Sequence, residues 1–317
     1  MKSIKNFISP ILLTLAAVIW GFAFSAQKSA ENVPSFTLGM ARSFIAAFFL
    51  IIVIVIFDKV FHTERVLFSK KKIFDFNKNE LIGGALCGAV LAIASFLQQY
   101  GINSGAEAGK ASFITALYVV LVPIYALALR KKAPINVWIS LPFAAVGFYF
   151  LCITGEFKML LPDVFVLSCA LIFPIHILTI DKYSPVCDGT RMSCVQFFTA
   201  GVINLIFALI FEYPIKTDAV AESILPILFL GIGSSGIAYT LQILGQKGVN
   251  PAAASILLSL ESVFGVLGSA LFLGEVMTYR EYIGCATVFV AVIISQLNLD
   301  SLFNKKTKTE KHKLKEH

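Results

Sequence analysis

Ten stretches of the chain are apolar almost without interruption, and each is about 20 residues long, the length an α-helix needs to cross a bilayer. They predict helices at 8–27, 36–57, 81–103, 108–129, 134–154, 162–180, 192–212, 223–245, 251–273 and 279–298. Most connections between them are too short to hold a soluble domain. Lys2 and Lys5 precede the first run as they would in a secretory signal. The following FSAQKSA is a weak cleavage match, so the first run is expected to be retained as a span. Neither end carries a lipidation motif.

Composition strengthens the membrane reading. Of 317 residues, 57% are hydrophobic and only 14% are charged, against about 25% charged in ordinary soluble domains. Mean hydropathy is +0.82. The net charge of +7 is concentrated in alternate loops and in the tail NKKTKTEKHKLKEH. Lys59, Arg65, Lys70, Lys71, Lys72, Lys78, Arg130, Lys131, Lys132, Lys182, Arg191 and Lys247 fall in one set of connections. The opposite set holds only Lys28, Lys110, Lys158, Lys216 and Arg280. The positive-inside rule therefore places both termini in the cytoplasm, as an even number of spans requires. Basic residues scattered in this way speak against a nucleic-acid partner. The tail is expected to be solvated, with weak attraction to anionic lipid. Six cysteines lie mostly inside the spans without metal-ligand spacing, and read as small buried hydrophobes.

A shift of 143 positions sets QYGINSGAEAGKASFITALYVV (99–120) over QILGQKGVNPAAASILLSLESV (242–263) without a gap. Gln99 falls on Gln242, Ala111 on Ala254, Ser112 on Ser255 and Leu117 on Leu260. The match joins the third-to-fourth span junction to the eighth-to-ninth, implying two halves of five helices. Five is odd, so the halves enter the membrane from opposite sides, an architecture common in transporters with a substrate site near the midplane. The expected fold class is an all-α integral membrane protein of ten transmembrane helices, built as two inverted five-helix repeats. The first half spans 1–154, the second 155–300, and a basic cytoplasmic tail 301–317.

Several phrases carry a resemblance: WGFAF at 20–24, the arginine of GMARSFIAAFFL, GKASFITALYVVLVP at 109–123, ALIFPIHILTIDKYS at 170–184, and above all SLESVFGVLGSALFLGE at 259–275. Together they resemble the EamA branch of the drug/metabolite transporter superfamily over nearly all the chain up to about residue 298. The resemblance implies a ten-helix carrier of a small organic solute, often moved outward. Relatives carry amino acids, amines, nucleosides and other metabolites, so the substrate does not transfer. FPIHI stands where many relatives have a tryptophan-alanine pair in the sixth span, and Ser262 stands where proline is common.

Polar groups at membrane depth are the candidate substrate contacts, each with a structural alternative. Arg42 either snorkels to the interface or holds an anionic group in a cavity. Trp20 packs or lines the cavity. Gln98, Gln99 and Gln242 bond between helices or reach the solute. Tyr118 falls where Glu261 falls in the other half under the 143-residue shift. His176, after Pro174, has a structural reading beside a titrating one. Gln196 aligns with Arg42 when Ala46 is set over Ala200. A charged side chain at the bilayer centre costs roughly 2.5–3.5 kcal/mol on insertion scales. Glu261 should therefore face the bundle interior, with Gly265 and Gly268 leaving room on its face; its alternative role is to anchor a helix terminus. GIGSSG at 231–236 satisfies a dinucleotide pattern but lies in an apolar run without the strand and helix that such a site needs. It reads as close helix packing or local helix flexibility, and Gly84 and Gly88 form a similar packing pair.

Enzyme signatures are absent: no H-E-x-x-H, G-x-S-x-G, Walker A sequence or aspartate-rich magnesium pair occurs. The expected function is a secondary transporter, in the exporting direction, of a small polar metabolite such as an amino acid or amine. It would work by alternating access in the plasma membrane, with no cofactor and no metal. Expected partners are the small-molecule substrate and the lipid bilayer, with proton coupling through Glu261 and a homodimer left open. The alternative is a membrane sensor or interaction protein that does not transport.

Overall fold

The computed structural model describes residues 2–60, 76–152, 160–272, 276 and 278–297, and among them every regular element is helical. The tail 301–317, the charged loop 61–75, Lys158 and the final LGE of the SALFLGE phrase lie outside the described residues. Among the described residues eight helices are long and apolar enough to cross a membrane by length and composition. We label them with two shorter ones in chain order. The first four are α1 (Lys2–Ser29), α2 (Ser35–Val60), α3 (Lys78–Asn103) and α4 (Ala108–Ala128). Next come α5 (Ile135–Cys152), α6 (Leu161–Tyr183) and α7 (Gly189–Phe211). The last three are α8 (Ile224–Gln246), α9 (Pro251–Phe272) and α10 (Tyr279–Gln296).

α5 and α10 are the shorter pair, with apolar segments Ile135–Phe150 and Tyr282–Ser295. They pack against each other, and Asn136 Nδ2 donates to the Ser295 carbonyl. Elsewhere α2 packs on α7, α3 on α6 and α7, α1 on α8 and α9, α2 on α8, and α4 on α6 and α9. The pattern is reciprocal. Adding five to the labels α1–α5, and subtracting five from α6–α10, turns each pairing into itself or into another that is present.

Local sequence explains where these helices begin and how close they come. Asn77 opens α3 with a capping box, its side chain accepting from Glu80 N at 2.8 Å while Glu80 accepts from Asn77 N at 2.9 Å. Asp188 caps α7 through Thr190 N and Arg191 N. Asn250 with Pro251 at the first helical position opens α9. A Cβ on Gly84 would stand 2.8 Å from the Met192 carbonyl, and one on Gly88 would collide with the Gln196 carbonyl. This glycine pair brings the backbones of α3 and α7 together. Large apolar side chains such as Phe48, Ile93, Ile210 and Phe211 face outward. Such a surface would drive association in water and is matched by lipid.

Charged groups at the helix ends of the α2–α7 pair are partnered. The Glu212 carboxylate, just past α7, accepts from Phe36 N (2.8 Å), Thr37 N (2.7 Å) and Thr37 Oγ1 (2.8 Å), capping α2. At the other end Asp58 of α2 pairs with Arg191 of α7 at 2.5 Å, and Asp188 lies 3.4 Å from the same guanidinium. α6 is tied at both ends, Asp163 to Lys110 at 2.6 Å and Asp181 to Lys131. Cys87, Cys169, Cys187 and Cys194 are buried and Cys285 is partly buried, none of them in a disulfide among the described residues.

Candidate functional site

Three helices depart from regular geometry at mid-bundle. α4 breaks at Leu117, between Ala108–Ala116 and Tyr118–Ala128. α9 breaks at Ser259, between Pro251–Leu258 and Leu260–Phe272. Both breaks tighten into a short turn, with Val120 N bonded to the Leu117 carbonyl and Ser262 N to the Ser259 carbonyl, each at 3.1 Å. In α8 the segment Phe229–Ala238, which contains GIGSSG, is a π-helix, a form common at functional positions. Glycine is required there for close approach as well. A Cβ on Gly231 would stand 2.5 Å from Ile45 Cγ2, and one on Gly236 2.7 Å from Phe49 Cδ1, both on α2.

These irregular segments surround a cavity of about 460 Å³, its mouth included. Six of the eight residues singled out in the sequence line it: Trp20, Arg42, Gln98, Tyr118, Gln242 and Glu261. Gln27, Thr115, Ser234 and Tyr239 add polar wall, while Phe24, Phe173, Ile177 and Leu258 add apolar wall. The other two are buried behind the lining. Gln99 donates to the Gln27 carbonyl (3.3 Å) and to Asn103 Oδ1 (2.7 Å), bracing α1 against α3. His176 Nε2 lies 3.0 Å from Gln196 Oε1, and its ring meets the Tyr239 ring edge-on at 5.6 Å. His176 therefore supports a wall residue without reaching the cavity, and Gln196 binds it there.

Among the described residues Arg42 has no counter-ion. Its Nε donates to Ser235 Oγ at 3.0 Å and its Nη2 to Ser234 Oγ at 3.1 Å, so two neutral hydroxyls from the π-helix grip one edge of the guanidinium. The snorkelling alternative is not realised, since the residue is 8% exposed within the bundle. Glu261 is equally unpaired. Among the described residues it forms no ion pair, and its Oε1 is buried without a hydrogen bond. The Tyr118 hydroxyl stands within electrostatic reach of the Glu261 carboxyl but makes no hydrogen bond of normal geometry. The side chains of Gln27 and Gln242 also make none, whereas Gln98 Nε2 donates to Thr115 Oγ1 at 3.0 Å.

Aromatic packing sets the wall. The Trp20 and Tyr239 ring centroids are 4.5 Å apart at 58°, and Trp20 Nε1 donates to the Ser234 carbonyl at 3.2 Å. Phe197 meets Tyr239 from another side at 5.4 Å. The space expected beside Glu261 is not open, however. A Cβ on Gly265 would lie 2.7 Å from Ser112 Oγ, and one on Gly268 3.0 Å from Phe22 Cδ1. Those glycines admit α4 and α1 to α9 and leave no void.

Sequence reasoning passed over Tyr239, Gln27, Thr115 and the two serines. Gln27 lies seven residues after Trp20 and Tyr239 three before Gln242, spacings that share a helix face. Ser234 and Ser235 were present inside GIGSSG, which was read for its glycines alone. Among the described residues no group of three or more His, Cys, Asp or Glu side chains is placed to hold a metal.

With this geometry in hand, relatives define the class: a model of the EamA-like transporter family matches the chain twice, over residues 8–153 and again over 160–297. The chain belongs to that family. It is 30% identical over 304 residues to an uncharacterized transporter of Archaeoglobus fulgidus, an alignment covering 94% of this chain and 89% of the relative. Its fold matches a solved crystal structure with a TM-score of 0.70 and 16% identity, covering 90% of this chain and 96% of that one. The protein is thus a multi-pass membrane protein of a transporter family.

Proposed function

We propose that the protein is a secondary carrier moving a small polar organic solute, in the exporting direction, by alternating access around the central cavity. The observation that carries this reading is that Arg42 and Glu261 line one cavity inside an apolar bundle and neither has a charged partner among the described residues. A buried charge without a partner is costly, and a ligand that arrives with the complementary group removes that cost. Helix breaks in α4 and α9 at the same depth support the reading, because discontinuous helices supply binding groups in carriers.

Ten spans in two inverted halves, with 301–317 as a cytoplasmic tail, complete the proposal. The reciprocal helix packing and the two family-model matches support the pairing of halves. The loop charges support cytoplasmic termini in the plasma membrane. The eight sequence-derived residues divide in this reading: six contact solute, while Gln99 and His176 support the wall. Glu261, which can take up a proton, is the group through which a proton gradient would couple.

Full-length protein reconstituted in liposomes and loaded with a small-metabolite extract tests the carrier reading. Protein-dependent exchange of solute across the bilayer is the expected result; its absence in correctly inserted protein overturns transport and favours a sensor. Glu261→Gln, which keeps size but cannot ionise, is expected to insert normally and to lose the response to an imposed pH gradient. Reporters fused after residues 158 and 300 should report opposite sides of the membrane.

A further inference from the structure

We infer that the end of the bundle where α4, α6 and α8 finish carries a binding site for the headgroup of an anionic phospholipid, built on Arg130 and Lys132. Cations are spread over many connections of the chain, but folding gathers three of these connections. Asn250 Nδ2 donates to the Lys132 carbonyl at 3.1 Å, Lys131 pairs with Asp181, and Lys247 Nζ donates to the Cys187 carbonyl at 3.4 Å. Stretches 129–134, 181–187 and 247–250 therefore form one rim, with five cations and one acid, Asp181. Asp188, next along the chain, is turned inward onto Arg191. Lys131 and Lys247 are engaged by the contacts just named, and Lys182 lies over the Tyr183 ring at 5.2 Å. Arg130 and Lys132 are exposed and make no ion pair among the described residues.

Backbone geometry gives no reason for an arginine at position 130. Arg130 N donates to the Leu127 carbonyl and Lys131 N to the Ala126 carbonyl, each at 2.8 Å, the paired bonds that close a helix in a Schellman turn. That turn holds Arg130 at φ 60°, the left-handed conformation that glycine adopts freely and a side chain adopts under strain. A cation near a helix C-terminus is favoured by the helix dipole, but Lys131 and Lys132 already supply that charge. The residue that suits the turn least thus sets its guanidinium on the rim, where a phosphate fits the fork of donors.

An apolar frame around the two cations favours a lipid over a soluble phosphate. Leu129, just before Arg130, is exposed, as are Ile135 and Trp138 in the first turn of α5. Tryptophan at such a position is characteristic of the membrane–water interface. The apolar segment of α5, Ile135–Phe150, is about 24 Å long at 1.5 Å per residue, shorter than a hydrocarbon core of about 30 Å. A short span draws the headgroups in toward its ends. Phosphates then meet Arg130 and Lys132 while an acyl chain lies along Leu129, Ile135 and Trp138. A headgroup of net negative charge leaves the rim's cations partnered, whereas a choline headgroup brings a cation of its own among them.

The test is thermal unfolding of purified full-length protein in detergent micelles doped with phosphatidylglycerol or with phosphatidylcholine, and in undoped micelles with inorganic phosphate. Phosphatidylglycerol is expected to raise Tm by at least about 2 °C more than phosphatidylcholine, and phosphate to leave it unchanged. Arg130→Gly separates the headgroup from the turn. Glycine suits the left-handed position, so without anionic lipid the variant should unfold at the same temperature as the wild type or higher, yet at least half of the phosphatidylglycerol shift should be lost. Arg130→Gly with Lys132→Gln should abolish that shift. Lys216→Gln, an exposed cation at the opposite end of the bundle, should keep it in full. Equal shifts with the two lipids overturn the inference, and an equal shift with inorganic phosphate replaces the lipid by a free anion. A shift that survives in the double variant, or that Lys216→Gln removes as well, also overturns the site. The readout needs no solute, so the carrier reading stands or falls separately.

Discussion

The helix ends of the α2–α7 pair and the central cavity both hold buried charge, and they treat it in opposite ways. At the ends, Glu212 makes three hydrogen bonds to the start of α2, and Arg191 sits between Asp58 and Asp188. In the cavity, among the described residues, Arg42 has hydroxyl partners alone and Glu261 has no ion pair. Asp58 and Glu212 are 154 positions apart, the same offset that sets Ala46 over Ala200 and Arg42 over Gln196. Charge thus stands at both aligned helix-end positions, whereas each cavity charge aligns with a neutral residue, Arg42 with Gln196 at the 154-residue offset and Glu261 with Tyr118 at the 143-residue offset. Paired charge holds helices together; in the proposed carrier, the charges that lack ionic partners are the ones a solute would meet.

The largest expected effect breaks the paired region. Arg191→Ala leaves Asp58 and Asp188 buried beside a missing cation, and the loss of one partner of such a group costs about 3–5 kcal/mol. Membrane accumulation and unfolding temperature should fall sharply, while Arg42→Ala leaves both nearly unchanged. Equal destabilisation by the two variants would erase the distinction between the regions. Glu212→Gln is milder: one acceptor remains for the α2 terminus, and the loss of a charged cap should cost about 1 kcal/mol, read as a modest fall in Tm with transport retained.

Within the cavity the expected effects fall on affinity. Ser234→Ala combined with Ser235→Ala frees the guanidinium edge and should raise KM several-fold with little change in Tm, because Arg42 keeps its place in the wall but loses its orientation. Tyr118→Phe removes a hydroxyl that faces the Glu261 carboxyl at the edge of hydrogen-bonding geometry, so stability should change by no more than about 1 kcal/mol. A small rise in KM would assign that hydroxyl to the ligand. An unchanged KM would leave Tyr118 as packing against Phe173, whose ring lies 6.2 Å away.

Much of this was legible in the chain itself. Apolar runs of bilayer length locate the helices to within a few residues, because every backbone group in lipid must be bonded internally and the helix is the available solution. Polar cost made Glu261 and Arg42 visible for the same reason, since a charge in an apolar run has to be explained. The offset of 143 placed Tyr118 and Glu261 at corresponding positions, next to breaks that the structure puts at Leu117 and Ser259.

What sequence could not decide is which polar side chain faces the cavity and which faces a neighbouring helix. Gln98 and Gln99 are adjacent on α3, yet one lines the cavity and the other braces α1, because a helix turns about 100° per residue and only the packed bundle says where the cavity lies. His176 was turned inward by its bond to Gln196, and the serines of GIGSSG gained their role only when α8 adopted a π-helix beside Arg42. The glycines near Glu261 admit helices instead of leaving space, a choice made by Phe22 and Ser112 arriving from elsewhere in the chain. Sequence determined the solvent, the helices and the two costly charges through local physics. The partners of those charges are contacts over long separations, and tertiary packing alone decided them.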